Sequence, residues 1–375
     1  MQKLAVLAVL SLTFSRSNEY RDMHTPSSSI TIFNKKIGTG NPVFIIAEIG
    51  NNHNGNINLA RRSIEAAARA GTDAVKFQKR SVKDVFTKEL LGKNQVHSRS
   101  LGKTYEEYRL AQELKDEEIA ELKEFAHSLG VAFFVTPFDL RSAGVLADIG
   151  MDCWKIASFD LRTKPLLEAV AKQPEPLILS TGTATLEEIE DAVATVLEHK
   201  KDLMVNQCVS IYPTPDENLN IGAIKTLQER FRPIPIGYSG HELGFIPTIA
   251  AVALGAVSVE RHFTLDKTLP GPDHSTVSLD PFEFTMMCSQ IRRIEKAVAD
   301  TEVRCDEKEI GMLNKHGKSV VSREPIRAGT VITADMLTVK SPGYGIRPAF
   351  LPTLIGKTAK TDIPEDSVIV EDFIA

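Results

Sequence analysis

The chain has 375 residues, of which 42% are hydrophobic and 25% charged; this is ordinary globular usage that excludes wholesale disorder and leaves room for two or three domains. Lys+Arg 44 against Asp+Glu 49 gives a net charge of −5, without the basic excess expected of a nucleic-acid-binding protein. Four scattered cysteines (Cys153, Cys208, Cys288, Cys305) form no C-x-x-C pair, which excludes a disulfide scaffold and a cysteine zinc site and fits a reducing, cytoplasmic setting.

Residues 1–14, MQKLAVLAVLSLTF, form a short apolar run behind one lysine. The run is too short to span a bilayer, and the small-x-small cleavage site of a secretory signal is poor. A targeting segment and a non-native extension both fit it, so residues 1–30 are set apart from the fold. No later stretch approaches the roughly 18 consecutive apolar residues of a membrane-spanning helix, and no membrane partner is expected.

From residue 31 short apolar runs alternate with helical patterns. The predicted strands are 43–50, 73–78, 132–138, 153–158, 176–182, 203–210, 234–240 and 258–264. The helical segments that follow them are 58–70, 115–129, 140–149, 164–172, 186–200, 221–231, 245–254 and 281–299. Eight βα units within 31–299 predict an α/β fold, a (β/α)8 TIM barrel. A doubly wound open sheet is the second choice, but it usually has fewer strands and a glycine-rich first turn. Residues 300–316 are charged and irregular and read as a linker. From 317 to 375 short β pieces and turns predict a small β-rich domain, marginal in size for folding alone and therefore expected to dock on something.

In a barrel the chemistry lies at the C-terminal strand ends, and strand alternation sorts side chains by face. The inward candidates are Glu48, then Lys76 and Gln78, Thr136, Lys155 and Ser180. They continue with Asn206, Cys208, Ser210 and Tyr212, then Ser239 and His241, then Glu260 and His262. Taken singly, each has a plain structural reading: a salt-bridged lysine, a packing histidine, a hydroxyl capping the next helix. Thr183 keeps that capping role, and Gly50, Gly182 and Gly240 read as tight turns. Taken together, so many inward charges are costly in a purely structural barrel. His241 and His262 end neighbouring strands and suit one divalent ion with positions open to water and substrate, acting as a Lewis acid. Lys76 and Lys155, if charged, suit a substrate bearing phosphate and carboxylate; a single deprotonated lysine suits a Schiff-base aldolase. Ser180, Ser210 and Ser239 can donate to phosphate oxygens, and Glu48 and Asp160 are acid/base candidates.

Several motifs together resemble the sialic acid synthases, the N-acetylneuraminate synthase family: IIAEIGNNHNG (45–55), AVKFQ (74–78), KIAS-F-D (155–160), LILSTG (177–182), IYPTP (211–215), IGYSGHE (236–242) and VERHFTLDKTLPGPDH (259–274). Residues 318–345 resemble that family's C-terminal antifreeze-like (SAF, β-clip) domain. The resemblance implies condensation of phosphoenolpyruvate with the open-chain aldehyde of an N-acetylmannosamine-type sugar or its 6-phosphate. The products are a nine-carbon 2-keto acid and phosphate. It implies a divalent ion, manganese with magnesium or cobalt as alternatives, on His241 and His262. It implies phosphoenolpyruvate contacts at Lys76, Thr136, Lys155, Ser180, Ser210 and Ser239, sugar contacts at Gln78, Tyr212 and Asp273, and a catalytic carboxylate at Glu48. Asp160 stands where many members have glutamate, which shortens the acid's reach. A domain-swapped homodimer is also implied, with each small domain over the partner's barrel mouth. The family arginine that reaches the neighbouring site is Ser341 here, and Arg347 is the expected substitute. A legionaminic or pseudaminic acid synthase using a diacetamido hexose is the nearest alternative. An aldolase running on Lys155 and a non-catalytic sugar- or ice-binding protein are more distant ones.

Overall fold

The computed structural model describes residues 26–94, 101–271 and 273–375, so the apolar run at 1–14 lies outside the described residues. The chain divides into two compact units, Met1–Asp300 and Thr301–Ala375. Among the described residues no helix is long and apolar enough to cross a membrane.

The first unit opens with an antiparallel hairpin, β1 (Ser29–Ile32) and β2 (Lys35–Gly38). Its Ile30, Ile32 and Ile37 are buried in the same apolar cluster as the barrel strands. The Ser27 hydroxyl donates to Asp202 at 2.6 Å, and Lys35 ion-pairs with Asp73. The expected boundary at residue 30 is therefore too late, because the I-T-I alternation belongs to the barrel's packing.

Eight parallel strands follow: β3 (Phe44–Gly50), β4 (Ala74–Lys79), β5 (Ala132–Pro137), β6 (Trp154–Ile156), β7 (Leu177–Ser180), β8 (Leu203–Cys208), β9 (Ile236–Gly240) and β10 (Ser258–His262). Their order in the sheet is β5-β4-β3-β10-β9-β8-β7-β6. The two ends are consecutive in sequence. At that seam the Asp152 amide donates to the Phe133 carbonyl at 3.3 Å, and the Phe133 amide donates to the Asp152 carboxylate at 2.7 Å. The result is the predicted barrel, nearly closed. The strands read as unbroken apolar runs because both faces are covered, inside by the core and outside by helices.

The helices of the eight units are α1 (Ile57–Ala70), α5 (Asp116–Ser128), α6 (Leu140–Ile149), α7 (Lys164–Ala171), α8 (Leu186–Leu197), α9 (Ala223–Arg230), α10 (Ile246–Ala253) and α12 (Pro281–Ala297). In α1 the buried side chains Ala60, Ser63, Ile64, Ala67 and Ala70 recur at helical spacing, the signal that the sequence carries. Asn56 caps its start by accepting from the amides of Asn58 and Leu59, and Gly71 ends it at φ 95. Thr185, not Thr183, caps α8: its hydroxyl accepts from the Glu188 amide while Glu188 accepts from the Thr185 amide. Thr183 has φ 64 and cannot hold the extended cap conformation. The connection between β4 and α5 carries three short helices, α2 (Val82–Val85), α3 (Lys88–Leu91) and α4 (Tyr105–Leu110). One more, α11 (Asp273–Thr276), follows β10.

In the second unit α13 (Ile310–His316) occupies part of the stretch expected to be linker. Strands β11 (Ser319–Ser322) and β12 (Leu337–Lys340) pair antiparallel, and α14 (Leu351–Leu354) follows. Val320, Ile326, Ile332, Leu337, Leu354, Ala359, Ile363 and Ile369 form its core.

Candidate active site

A cavity of about 480 Å³ lies at the C-terminal ends of the barrel strands. Strand register builds it. Glu48 on β3 is level with Lys76 on β4 and with His262 on β10, and Gln78 on β4 is level with Thr136 on β5. Glu260 is level with Ser239 of β9. Glu48, Lys76, Gln78, Thr136, Lys155, Asp160, Ser180, Tyr212, Ser239, His241, His262 and Asp273 all line the cavity.

Two of the inward candidates, Asn206 and Ser210, do not. Ser210 is absent from the wall; its buried hydroxyl has no hydrogen-bond partner and faces Gly182, where a Cβ would sit 2.3 Å away. Gly182 therefore serves close packing as well as the expected turn, which the Ala184 amide closes by donating to the Thr181 carbonyl at 3.3 Å. Gly240 lies within β9 and is packed as closely against Glu242, also at 2.3 Å. Gly50 does adopt a turn conformation, φ 56; there a Cβ would press on both Glu48 and Gln78. Arg347 belongs to the second unit, where its guanidinium lies 5.1 Å from the Phe350 ring. Ser341, in the same unit, accepts from Lys318 and donates to the His316 carbonyl.

Glu260 is the residue that the sequence placed inward without a role. It lies between the two lysines, 3.5 Å from Lys76 Nζ and 4.0 Å from Lys155 Nζ. Lys76 also ion-pairs with Glu48 at 2.6 Å and donates to Thr136 at 3.1 Å; Lys155 donates to Ser180 at 2.6 Å. The two lysines diverge electrostatically. Burial opposes the charge on Lys76, but Glu260 and Glu48 outweigh it and hold the ammonium above its usual range. At Lys155 burial is the largest influence, and the pull of Glu260 is opposed by the like charge of Lys76, so burial wins and holds it below. Burial pushes Glu260 up, yet Lys155 and Lys76 bring it below the usual carboxylate range. Glu48 is raised by burial, against the pull of Lys76. Gln78 donates to Glu48 at 2.6 Å.

The ring centroids of His241 and His262 are 5.4 Å apart, and the Tyr212 ring lies tilted against His241 with its centroid 4.1 Å away. His241 donates from Nδ1 to the Val209 carbonyl at 2.8 Å, a bond that fixes the tautomer and leaves Nε2 open. His262 Nδ1 is buried without a partner. Burial, the largest cause, holds His262 well below its usual value, so it is a neutral imidazole of the kind that ligates metals. Two nitrogens with open lone pairs on adjacent strands fit a divalent cation. Among the described residues no group of three or more His, Cys, Asp or Glu is placed to hold one, so water and substrate oxygens must complete any coordination shell. Asp160 is raised by burial to about 6, accepts from Thr163, and has its second oxygen buried without a partner.

Further cavity residues come from the β4–α5 connection: Phe86, Tyr105, Tyr108, Arg109 and Gln112, together with Arg80. No strand period marks them. The available signal is the length of that connection, since long loops in compact domains are uncommon unless functional.

The sequence matches the NeuB family over residues 63–303 and the SAF domain over 317–375. It is similar to human N-acetylneuraminate-9-phosphate synthase, with 36% identity across 90% of this chain and 94% of that protein. It is similar to N,N'-diacetyllegionaminic acid synthase of Campylobacter jejuni, with 37% identity across 87% of this chain and 98% of that protein. The solved structure of N-acetylneuraminic acid synthetase from Leptospira borgpetersenii aligns at a TM-score of 0.68 and 37% identity, covering 77% of this chain and 96% of that one.

Proposed function

The chain belongs to the NeuB family of synthases, and from that premise we propose that it condenses phosphoenolpyruvate with the open-chain aldehyde of an N-acetylated hexosamine of the mannosamine type. A carbon–carbon bond forms between C3 of phosphoenolpyruvate and the aldehyde carbon. The aldehyde oxygen gains a proton, water supplies the new keto oxygen, and phosphate leaves. The observation that carries this reading is the Lys76–Glu260–Lys155 cluster, ringed by the hydroxyls of Thr136, Ser180 and Ser239 and adjoining the His241–His262 pair.

In this reading Lys76, kept charged by Glu48 and Glu260, anchors the anionic end of phosphoenolpyruvate. Lys155 donates alongside it, and an incoming anion restores the ammonium that burial disfavours. Glu48, held by Lys76 and Gln78, is the group that accepts or returns a proton near the reacting carbons. Asp160 can give up a proton near neutral pH. Gln78, Tyr212 and Asp273 orient the sugar. His241 and His262 would hold the divalent cation, manganese in the first instance, which would supply Lewis acidity toward the aldehyde oxygen.

The homodimer forms part of the proposal. It is supported by the small core of the second unit and by the exposed Met312, Leu313, Tyr344 and Phe350 on that unit.

The test is phosphate release with manganese, phosphoenolpyruvate and four acceptors: N-acetylmannosamine, its 6-phosphate and the two diacetamido hexoses. Turnover with a mannosamine acceptor is expected, and turnover with the diacetamido sugars alone moves the chain to the legionaminic or pseudaminic branch. His241→Ala is expected to lose turnover and metal dependence together; an active, still metal-dependent variant removes the ligand assignment. Covalent trapping of Lys155 by borohydride and pyruvate, with no chelator sensitivity, favours an aldolase instead.

A further inference from the structure

Arg80 and Arg109 bring to the cavity two cations that the proposed reaction does not use. Arg80 is 9% exposed. Its Nη2 donates to Gln78 Oε1 at 2.6 Å, and its guanidinium lies 3.8 Å from the centroid of the Phe138 ring. Its Nη1 is buried and has no hydrogen-bond partner. Arg109 sits among three rings, 5.0 Å from Tyr105, 5.5 Å from Tyr108 and 5.6 Å from Phe86. It donates to Tyr105 Oη and, at 3.4 Å, to Gln112. The two guanidiniums are near enough that, after burial, the charge of Arg109 is the next cause holding Arg80 down to about 10.

The contrast with the lysines is the informative point. Lys76 and Lys155 face Glu48 and Glu260. Among the described residues neither Arg80 nor Arg109 forms an ion pair, although the carboxyls of Asp160 and Asp273 share the same cavity. A buried guanidinium with an open donor is costly unless something fills it. The aromatic seat holds the planar group of Arg109 in a limited set of orientations, which lowers the entropy lost when an anion is taken up.

Resting on the condensation proposed above, we propose that Arg80 and Arg109 form a second anion subsite, and that the acceptor sugar carries the anion as a phosphate ester remote from its aldehyde. Phosphate matches the guanidinium fork in geometry and charge, and the phosphate of the first substrate is already assigned to the lysine end. A neutral acceptor leaves Arg80 Nη1 without a charged partner.

The test uses the full-length protein and its Arg109→Gln and Arg80→Lys variants, with folding checked by circular dichroism. Phosphate release is followed with phosphoenolpyruvate and either N-acetylmannosamine or its 6-phosphate. The wild type is expected to favour the 6-phosphate by about 100-fold in kcat/KM, and each variant to raise the KM for it about 30-fold while the KM for phosphoenolpyruvate stays unchanged. Equal use of both acceptors by the wild type, or a variant effect on the KM for phosphoenolpyruvate, overturns the subsite. Calorimetric titration with each acceptor alone separates the subsite from the reaction. If neither acceptor turns over but the 6-phosphate binds and Arg109→Gln removes that binding, the subsite stands and the condensation falls. If the 6-phosphate binds no better than the free sugar, the subsite falls.

Discussion

Single residues decide the electrostatics of this cavity, and Asp160 shows how. Its carboxyl rises from 3.8 to about 6 because burial disfavours the ion, with Thr163 the one side chain that donates to it among the described residues. The folded state therefore holds the proton more tightly than the unfolded chain. The contribution of this group to stability is complete below the unfolded value and is lost as pH rises through about 6. Replacing it with asparagine avoids that loss. Asp160→Asn is expected to be more stable than the wild type by about 1–2 kcal/mol near pH 7.5, after discounting for its partial exposure, and to show almost no advantage near pH 4. Urea unfolding of both proteins at the two pH values measures this; an offset independent of pH contradicts it. Glu260 shows the complementary case. One carboxylate serves two lysines, and the position of each lysine relative to Glu48 sets which stays above its usual range.

At the scale of elements, the barrel tolerates no extra volume where strands crowd and accepts it freely on an outer helix. Gly237 in β9 faces the core, where a Cβ would sit 2.0 Å from Ser258 Oγ and 2.2 Å from Asn206 Oδ1. Those two atoms are themselves hydrogen-bonded at 3.2 Å. Gly144 in α6 is exposed, with nothing within 4 Å of the same point. Gly237→Ala is expected to cost about 2–3 kcal/mol through overpacking and the lost hydrogen bond, whereas Gly144→Ala is expected to add about 0.5–1 kcal/mol through helix propensity. Denaturant midpoints of the two variants measure the contrast, and a mild Gly237→Ala contradicts the packing argument. The β4–α5 connection is the element that makes the cavity more than a generic barrel mouth. Its short helices deliver Tyr105, Tyr108 and Arg109 to one wall.

At the scale of the whole molecule, a large barrel unit and a unit of 301–375 each have their own apolar core. The smaller core has eight buried side chains, a modest number for independent stability. The proposed homodimer gives that unit a surface to bury. Light scattering of the full chain is expected to return twice the 41.2 kDa chain mass, and a persistent monomer at micromolar concentration removes the dimer from the proposal.

The sequence by itself determined the barrel, the second β-rich unit and most of the cavity wall. Strand alternation has a period of two, so a polar residue within an apolar run, such as Lys76 or Lys155, already declares its face. The eight repeats then put those faces at one end of one barrel. Tertiary structure alone decided which side chains meet. Glu260 reaches both lysines only because the barrel brings β4 and β6 to opposite sides of β10, and no local pattern encodes a distance across a barrel. Ser210 shares the inward parity of Cys208 yet sits against Gly182, because a strand end can turn away after its last ladder bond. Arg80 and Arg109 lie in a connection without periodicity, where only the folded path of the chain sets the position of a side chain.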